Sequence, residues 1–266
     1  MGGAFRMDAA ELAALDRDGY VLRAGVFDPS ECERIAGECE ALVERVTVAK
    51  QRTKLRVGGY MIEFEREFGI VVKWEPEAPD LVMGLEPLAS VSDALAAFGR
   101  DPRLVDPCKD VVGADDLDLF TEKLNLKRAR KGGSIWLHQD YPYWADVAPI
   151  AARVATAMIF LDDADVARGC LEVAPGSHRD GDQKRKAAND FGSREMDPAT
   201  FDTGRLIPLE VKAGSVAFFG AFLVHRSLPN GSDQDRRALL YSYQPAGHPH
   251  LSQLTGRDVR RVTEAR

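Results

Sequence analysis

This sequence is short of cysteine, of long apolar runs and of positive charge, and each shortage removes a class of protein. Its four cysteines (Cys32, Cys39, Cys108, Cys170) show neither CxxC spacing nor the density of a disulfide framework. Reduced thiols in a cytoplasmic protein are expected. Cys32 and Cys39, two helical turns apart, read as one buried helix face. No apolar stretch approaches the ~20 residues that span a bilayer, so no membrane association is expected. The opening segment, MGGAFRMDAAELAALD, lacks the apolar core of a signal peptide, and Arg6 stands where N-myristoylation favours Ser or Thr. Lys and Arg number 35 against 42 Asp and Glu, so nucleic acid is not an expected partner. The one basic run, Lys50 to Arg56, reads either as a solvated face or as a rim that attracts an anionic substrate.

What is present is the composition of a globular protein, 45% hydrophobic and 29% charged over 266 residues. The first hundred residues read mostly helical. Met7 to Arg17 is amphipathic, and Gly19 to Arg23 suggests a brief strand. Asp28-Pro29-Ser30-Glu31 is a helix start, with Asp as N-cap, Pro first in the helix and Glu three residues on. The helix it opens places Cys32, Ile35, Ala36, Cys39, Leu42, Val43 and Val46 on one face. Val91 to Phe98 and Pro102 to Val112 suggest two short helices, the second open to interruption at Pro107. From Asp116 onward short runs of near-alternating polarity appear, bounded by Gly, Pro and Asp: Leu117 to Lys127, Arg153 to Leu161, Cys170 to Ala174, Leu206 to Val211, Ser215 to Phe219 and Ala238 to Gln244. Such spacing predicts an all-β sandwich or barrel. Asp180 to Thr203 is polar and aperiodic, a surface excursion and a candidate lid.

The chemistry-bearing residues sit within that β region. His138-Gln139-Asp140 follows a Gly132-Gly133 turn and a short apolar run, Ser134 to Leu137. His225 closes the run Ala221 to Val224, and Arg236 lies eleven residues beyond it, after the Pro229-Asn230-Gly231 turn. Two imidazoles and one carboxylate occupy one face of an octahedral metal ion and leave the opposite face open, the ligand set of non-haem Fe(II) oxygenases. An Arg nearby can grip the carboxylate of an organic acid lying across the open positions.

Four segments together resemble the phytanoyl-CoA dioxygenase family of Fe(II)- and 2-oxoglutarate-dependent oxygenases. These are Asp18-Gly19-Tyr20-Val21 with Phe27-Asp28-Pro29-Ser30, Trp136 to Asp140, Gly169 to His178, and Ala213-Gly214-Ser215-Val216 through His225, Asn230 and Arg236-Arg237. The resemblance implies a mainly β fold with flanking α, a double-stranded β-helix (jelly-roll) barrel buttressed by N-terminal helices. It implies one domain over residues 1–266, with a mostly helical buttress at 1–115, the barrel at 116–247 and a tail at 248–266. It further implies Fe(II) on His138, Asp140 and His225, with 2-oxoglutarate and O2 as co-substrates and the far carboxylate of 2-oxoglutarate paired to Arg236. Asn125 and Thr156 match, by position, polar residues that touch the co-substrate in similar enzymes. Asn125 shares a strand face with Lys123 and Lys127, while Leu124 and Leu126 point the other way. Arg236 and Arg237 compete for the carboxylate, spacing favouring the first. Related halogenases replace the carboxylate ligand with a small residue, so Asp140 points to hydroxylation of a small-molecule substrate.

Other readings stay open beside it. A cupin-like metal enzyme without 2-oxoglutarate would use the same three ligands and leave Arg236 unemployed; a non-catalytic ligand-binding barrel would need none of them. His178 reads as a turn histidine, and His248 and His250 as parts of a mobile loop. Tyr141, Tyr143 and Trp144 suit either a substrate pocket or packing under the barrel mouth. Substrate recognition is expected in the segments that resemble the family least, roughly Lys50 to Pro87 and Asp180 to Thr203.

Overall fold

In a computed structural model of the chain, the described residues are 3–48, 54–57, 60–65, 69–185 and 194–255. The basic run at 50–56 and the excursion at 180–203 are only partly within them, as is the tail. Among the described residues, two antiparallel sheets make the body. The larger has nine strands in the order β1-β11-β8-β13-β6-β5-β4-β3-β2, and the smaller has four in the order β10-β9-β12-β7. In chain order these are β1 (Tyr20–Arg23), β2 (Leu55–Val57), β3 (Tyr60–Glu65), β4 (Ile70–Glu75), β5 (Ala78–Glu86), β6 (Leu117–Lys127) and β7 (Ile135–His138). Then come β8 (Ala155–Phe160), β9 (Leu171–Val173), β10 (Ile207–Leu209), β11 (Val216–Gly220), β12 (His225–Ser227) and β13 (Arg236–Pro245). This is the jelly roll that the family resemblance implies, built largely from the alternating runs.

Helices α1 (Ala9–Asp18), α2 (Pro29–Val48), α3 (Asp93–Phe98) and α4 (Pro102–Val112) precede most of the barrel, and α5 (Tyr141–Trp144) and α6 (Leu251–Leu254) are single turns. The α2 start closes as a reciprocal capping box. The Glu31 N–H donates to Asp28 Oδ1 and the Asp28 N–H to Glu31 Oε2, both at 2.9 Å. Helix α4 runs unbroken through Pro107. The mostly helical reading of the first 115 residues is corrected, because strands β2 to β5 lie between residues 55 and 86 and extend the large sheet. The turn signals were there, with Gly58-Gly59, Gly69 and Pro76 standing between those strands in the sequence, but the alternation was not. Ile70 to Glu75 is buried on both faces bar one residue, so it shows no clean alternation.

Side-chain alternation sorts the large sheet into two faces. Leu124 and Leu126 of β6, Ala155, Ala157 and Ile159 of β8, Val216 and Phe218 of β11, and Leu239 and Tyr241 of β13 pack on α2, α3 and α4. Cys32, Cys39 and Cys108 lie in that same core, all four cysteines being buried free thiols. The intervening residues Met158, Phe160, Ala217, Phe219 and Ala238 face Leu171, Val173 and Leu209 of the small sheet. Each methylene buried in such a layer contributes about 0.8 kcal/mol, so the two-period pattern sets the register.

His248 lies in the exposed turn between β13 and α6, its carbonyl accepting from Gln244, while His250 N-caps α6 and its Nε2 lies 3.0 Å from the buried Glu122 carboxylate. No described helix is long and apolar enough to cross a membrane. Gly214 stands where the turn before β11 meets the turn before α2. Its φ is +83°, and a Cβ there would sit 2.0 Å from the Phe27 carbonyl oxygen. Gly214→Ala should therefore cost at least about 2 kcal/mol from left-handed strain plus steric overlap. A urea midpoint unchanged from wild type would contradict this packing.

Candidate metal centre

Strand β7 delivers His138, and β12 delivers His225 directly opposite it in the antiparallel register. Asp140 follows β7 at the head of α5. Ligand atoms of the three residues all lie within 4.8 Å of one another, and the two imidazole centroids are 4.1 Å apart. Each ring is fixed by the same device, its Nδ1 bonded to the carbonyl two residues earlier: His138 to Trp136 at 2.7 Å, His225 to Leu223 at 2.9 Å. A carbonyl only accepts, so Nδ1 carries the proton and Nε2 presents its lone pair to the centre. His138 Nε2 is 3.8 Å from Asp140 Oδ1. Burial, then the neighbouring His225, hold the His138 pKa well below the ordinary imidazole value, with Lys123 and Lys73 acting in the same direction. Its neutral, ligating form is thereby favoured.

Gln139, between the two ligands, is fully buried. Its amide NH2 donates to the carbonyls of Gly181 (2.8 Å) and Phe222 (2.7 Å), and its oxygen accepts from the Gln183 N–H (2.8 Å). The excursion after Asp180 is thus tied to the ligand strand at its start. Met196 N–H bonds to the Leu137 carbonyl, and Arg194 to the Pro142 carbonyl, at its far side.

A cavity opens over His138, Asp140 and His225. Asn125 and Arg236 line it, as do Lys73, Met83, Lys123, Tyr143 and Ser227. Arg236 is fully buried. One of its nitrogens donates to the Gly169 carbonyl at 3.1 Å, while Nε and Nη1 have no partner, and burial lowers its pKa to about 10. The buried Ser227 hydroxyl in the same wall also lacks a partner. Unsatisfied buried donors are rare because each costs its desolvation, so these atoms mark a place for an acceptor-rich, anionic group. Arg237 is excluded from this role by geometry: its side chain is clamped to Asp162, through Nε at 2.8 Å and Nη2 at 2.7 Å, outside the cavity.

Two expectations need correction. Thr156 is on the inward face of β8, but its hydroxyl is bonded to Ser242 Oγ at 2.9 Å and it does not line the cavity. Its strand neighbour Met158 does. His225 opens a strand rather than closing one, since Ala221 to Val224 form the turn before β12. Of the three aromatics, only Tyr143 lines the cavity, edge-on to His138. Tyr141 stacks on Phe222 and Trp144 packs on Phe120. Reading the sequence missed Ser227 and Lys73. Ser227 had a signal, lying two residues after His225 and so on the same strand face; Lys73 was hidden in a segment read as helical.

The sequence pattern described as phytanoyl-CoA dioxygenase (PhyH) matches residues 15–238. The chain belongs to the phytanoyl-CoA dioxygenase family. That family contains iron- and 2-oxoglutarate-dependent oxygenases, and this member is a dioxygenase of that type. Among similar proteins, an ectoine dioxygenase of Bordetella parapertussis is 23% identical over 89% of this chain and 75% of its own length. A phytanoyl-CoA dioxygenase domain-containing protein 1 of Danio rerio is 25% identical over 84% and 85%. EctD from S. alaskensis, solved with 2-oxoglutarate and 5-hydroxyectoine, superposes with a TM-score of 0.70 at 21% identity, covering 92% of this chain and 78% of its own. The epimerase SnoN, solved with Fe3+, alpha ketoglutarate and nogalamycin RO, gives 0.65 at 21% identity, covering 89% and 83%. At that identity the superpositions speak to the fold.

Lys127 lies opposite Arg236 on β6, its ammonium donating to the carbonyls of Gly133 and Leu228. Burial, then the charge of Arg236, lower its pKa to about 7 from an ordinary 10.5. Between those values the unfolded chain binds the proton that the folded one has lost, so unfolding free energy rises with pH across that window. Wild type should gain stability relative to Lys127→Met as pH rises from 7 to 10. A difference between the two urea curves that stays flat over that range would show Lys127 to be permanently charged.

Proposed function

We propose that this dioxygenase inserts oxygen into an unactivated C–H bond of a small molecule, with His138, Asp140 and His225 holding Fe(II) and Arg236 holding the far carboxylate of 2-oxoglutarate. The donor set fits the metal, two imidazole nitrogens and one carboxylate oxygen on one side of an open cavity. Bound Fe(II) would supply activation of O2, coupled to loss of CO2 from 2-oxoglutarate and formation of succinate. This chain's own residues do the rest. The two backbone-anchored imidazoles present fixed lone pairs, and Arg236 with Ser227 orients the dicarboxylate. The apolar walls at Met83, Met158, Phe219 and Leu240 keep water from the reacting carbon.

The observation that carries this reading is Arg236, a buried guanidinium with two unpartnered nitrogens in the same cavity as the metal ligands. It also favours this reading over a cupin-like enzyme that needs no 2-oxoglutarate, in which that charge would stay buried without a counter-ion. Succinate release measured against 2-oxoglutarate concentration tests it. Arg236→Leu should raise the apparent KM for 2-oxoglutarate by roughly two orders of magnitude, the loss expected for a desolvated charge pair. Ser227→Ala should raise it by about tenfold or less, the scale of one hydrogen bond. Arg237→Leu and Thr156→Val should leave it within about threefold, well under the loss of a buried hydrogen bond to a charged group. An equal effect of Arg236→Leu and Arg237→Leu would sink the assignment, and so would full turnover in His138→Ala or Asp140→Ala.

A further inference from the structure

Behind Arg236 the structure buries a second cation. Lys127 of β6 stands opposite Arg236 of β13 in the antiparallel register, and the two side chains are 1% and 0% exposed. The Lys127 ammonium donates to the carbonyls of Gly133 and Leu228, and the Arg236 guanidinium to that of Gly169. These anchors adjoin one another: a Cβ on Gly169 would lie 2.2 Å from the Leu228 carbonyl oxygen. All three acceptors are neutral main-chain oxygens. Glu75 of β4 acts on Lys127 only through space, because both its oxygens accept from the Gly133 N–H at 3.0 Å.

Two buried like charges that share one distant carboxylate are costly, and only one of them can leave. A guanidinium keeps its proton, whereas a buried ammonium sheds it. Burial, then the charge of Arg236, push Lys127 that way, and Glu75 opposes them. The other charged groups nearby are committed elsewhere. Arg128, next along the chain, is paired with Glu40 and Asp235, and Asp162 is paired with Arg237. Burial pushes the Cys170 thiol up to about 11, so it is neutral. An anion on Arg236 changes the sum. With the far carboxylate of 2-oxoglutarate in place, Arg236 and a charged Lys127 face that carboxylate and Glu75, two charges of each sign.

We infer that Lys127 is a proton-linked second cation of the co-substrate site: an anion seated on Arg236 draws a proton onto Lys127, so 2-oxoglutarate binds with proton uptake and less tightly as pH rises. The inference rests on the oxygenase reading above, which puts a dicarboxylate at Arg236. Lys127 does not line the cavity, so it acts through Arg236 and through charge, as a positioning residue. The sign follows from reciprocity: a ligand that favours the charged lysine is favoured by it, and loses that help where the lysine stays neutral. Below about pH 7 Lys127 carries its proton with or without the ligand, and the uptake fades.

Anaerobic calorimetric titration of 2-oxoglutarate into the Fe(II)-loaded protein tests this. Repeating it at one pH in HEPES and in Tris, whose ionisation enthalpies differ, counts the protons exchanged. Wild type at pH 8 should take up roughly half a proton per site, and its Kd should rise roughly fivefold or more from pH 7 to pH 9, the scale of a typical coupling between two sites. In Lys127→Met and in Lys127→Arg the uptake should vanish and Kd should stay flat over that range, since neither side chain titrates there. Glu75→Gln should keep the uptake and move its maximum to lower pH, because the lysine then lacks its counter-charge. Wild type that binds 2-oxoglutarate with no proton uptake would overturn the inference and leave the oxygenase reading intact, a result that needs no variant. Uptake that survives in both Lys127 variants, or that disappears only in Glu75→Gln, would put the proton on another group and overturn it as well. Wild type that binds no 2-oxoglutarate at all would defeat the oxygenase reading, and the inference with it.

Discussion

The pairing of β7 with β12 is the constraint on which the site depends. Antiparallel register sets His138 across from His225, and each imidazole is then turned by a bond from Nδ1 to a carbonyl of its own strand. Rotation of either ring would break its hydrogen bond, so both lone pairs are aimed before any metal arrives. The small sheet carrying these strands is held against the large one by Met158, Phe160, Phe219 and their partners. Core packing, ladder register and ligand geometry are therefore one structure, and Gln139 extends it to the excursion after Asp180.

Charge is arranged along the same cavity with equal economy. Arg236 is buried with one backbone partner, a state that costs several kcal/mol unless an anion joins it. Arg237, the next residue, points to the opposite face and is saturated by Asp162. Adjacent strand positions thus hold a guanidinium that needs a ligand and one that already has its own.

The barrel was legible in the sequence because it is written in period two, and His138 with Asp140 because the two sit two residues apart, the structure then bringing His225 to within 4.8 Å of them. Leu124 and Leu126 against Lys123, Asn125 and Lys127 is a pattern that only a two-faced strand satisfies, and the structure sorts the two leucines into the helix-covered core. The helix start at Asp28 was legible because its capping chemistry is local. Strands β2 to β5 were not, since in β4 burial on both faces erases the alternation that signals a strand. Thr156 shows a different limit. Alternation puts it on the inward face, but not whether its hydroxyl meets a ligand or, as here, Ser242. The choice between Arg236 and Arg237 likewise needed the partner across space, Asp162, which no local pattern supplies.

The measurement that reaches the central claim most directly is an anaerobic titration of 2-oxoglutarate into the Fe(II)-loaded protein, followed by visible absorption. Chelation of the metal by the 2-oxoacid should bring up a weak charge-transfer band that saturates at one equivalent of 2-oxoglutarate per iron. Iron that binds at His138, Asp140 and His225 yet develops no band would contradict the account and leave a metal enzyme of another kind.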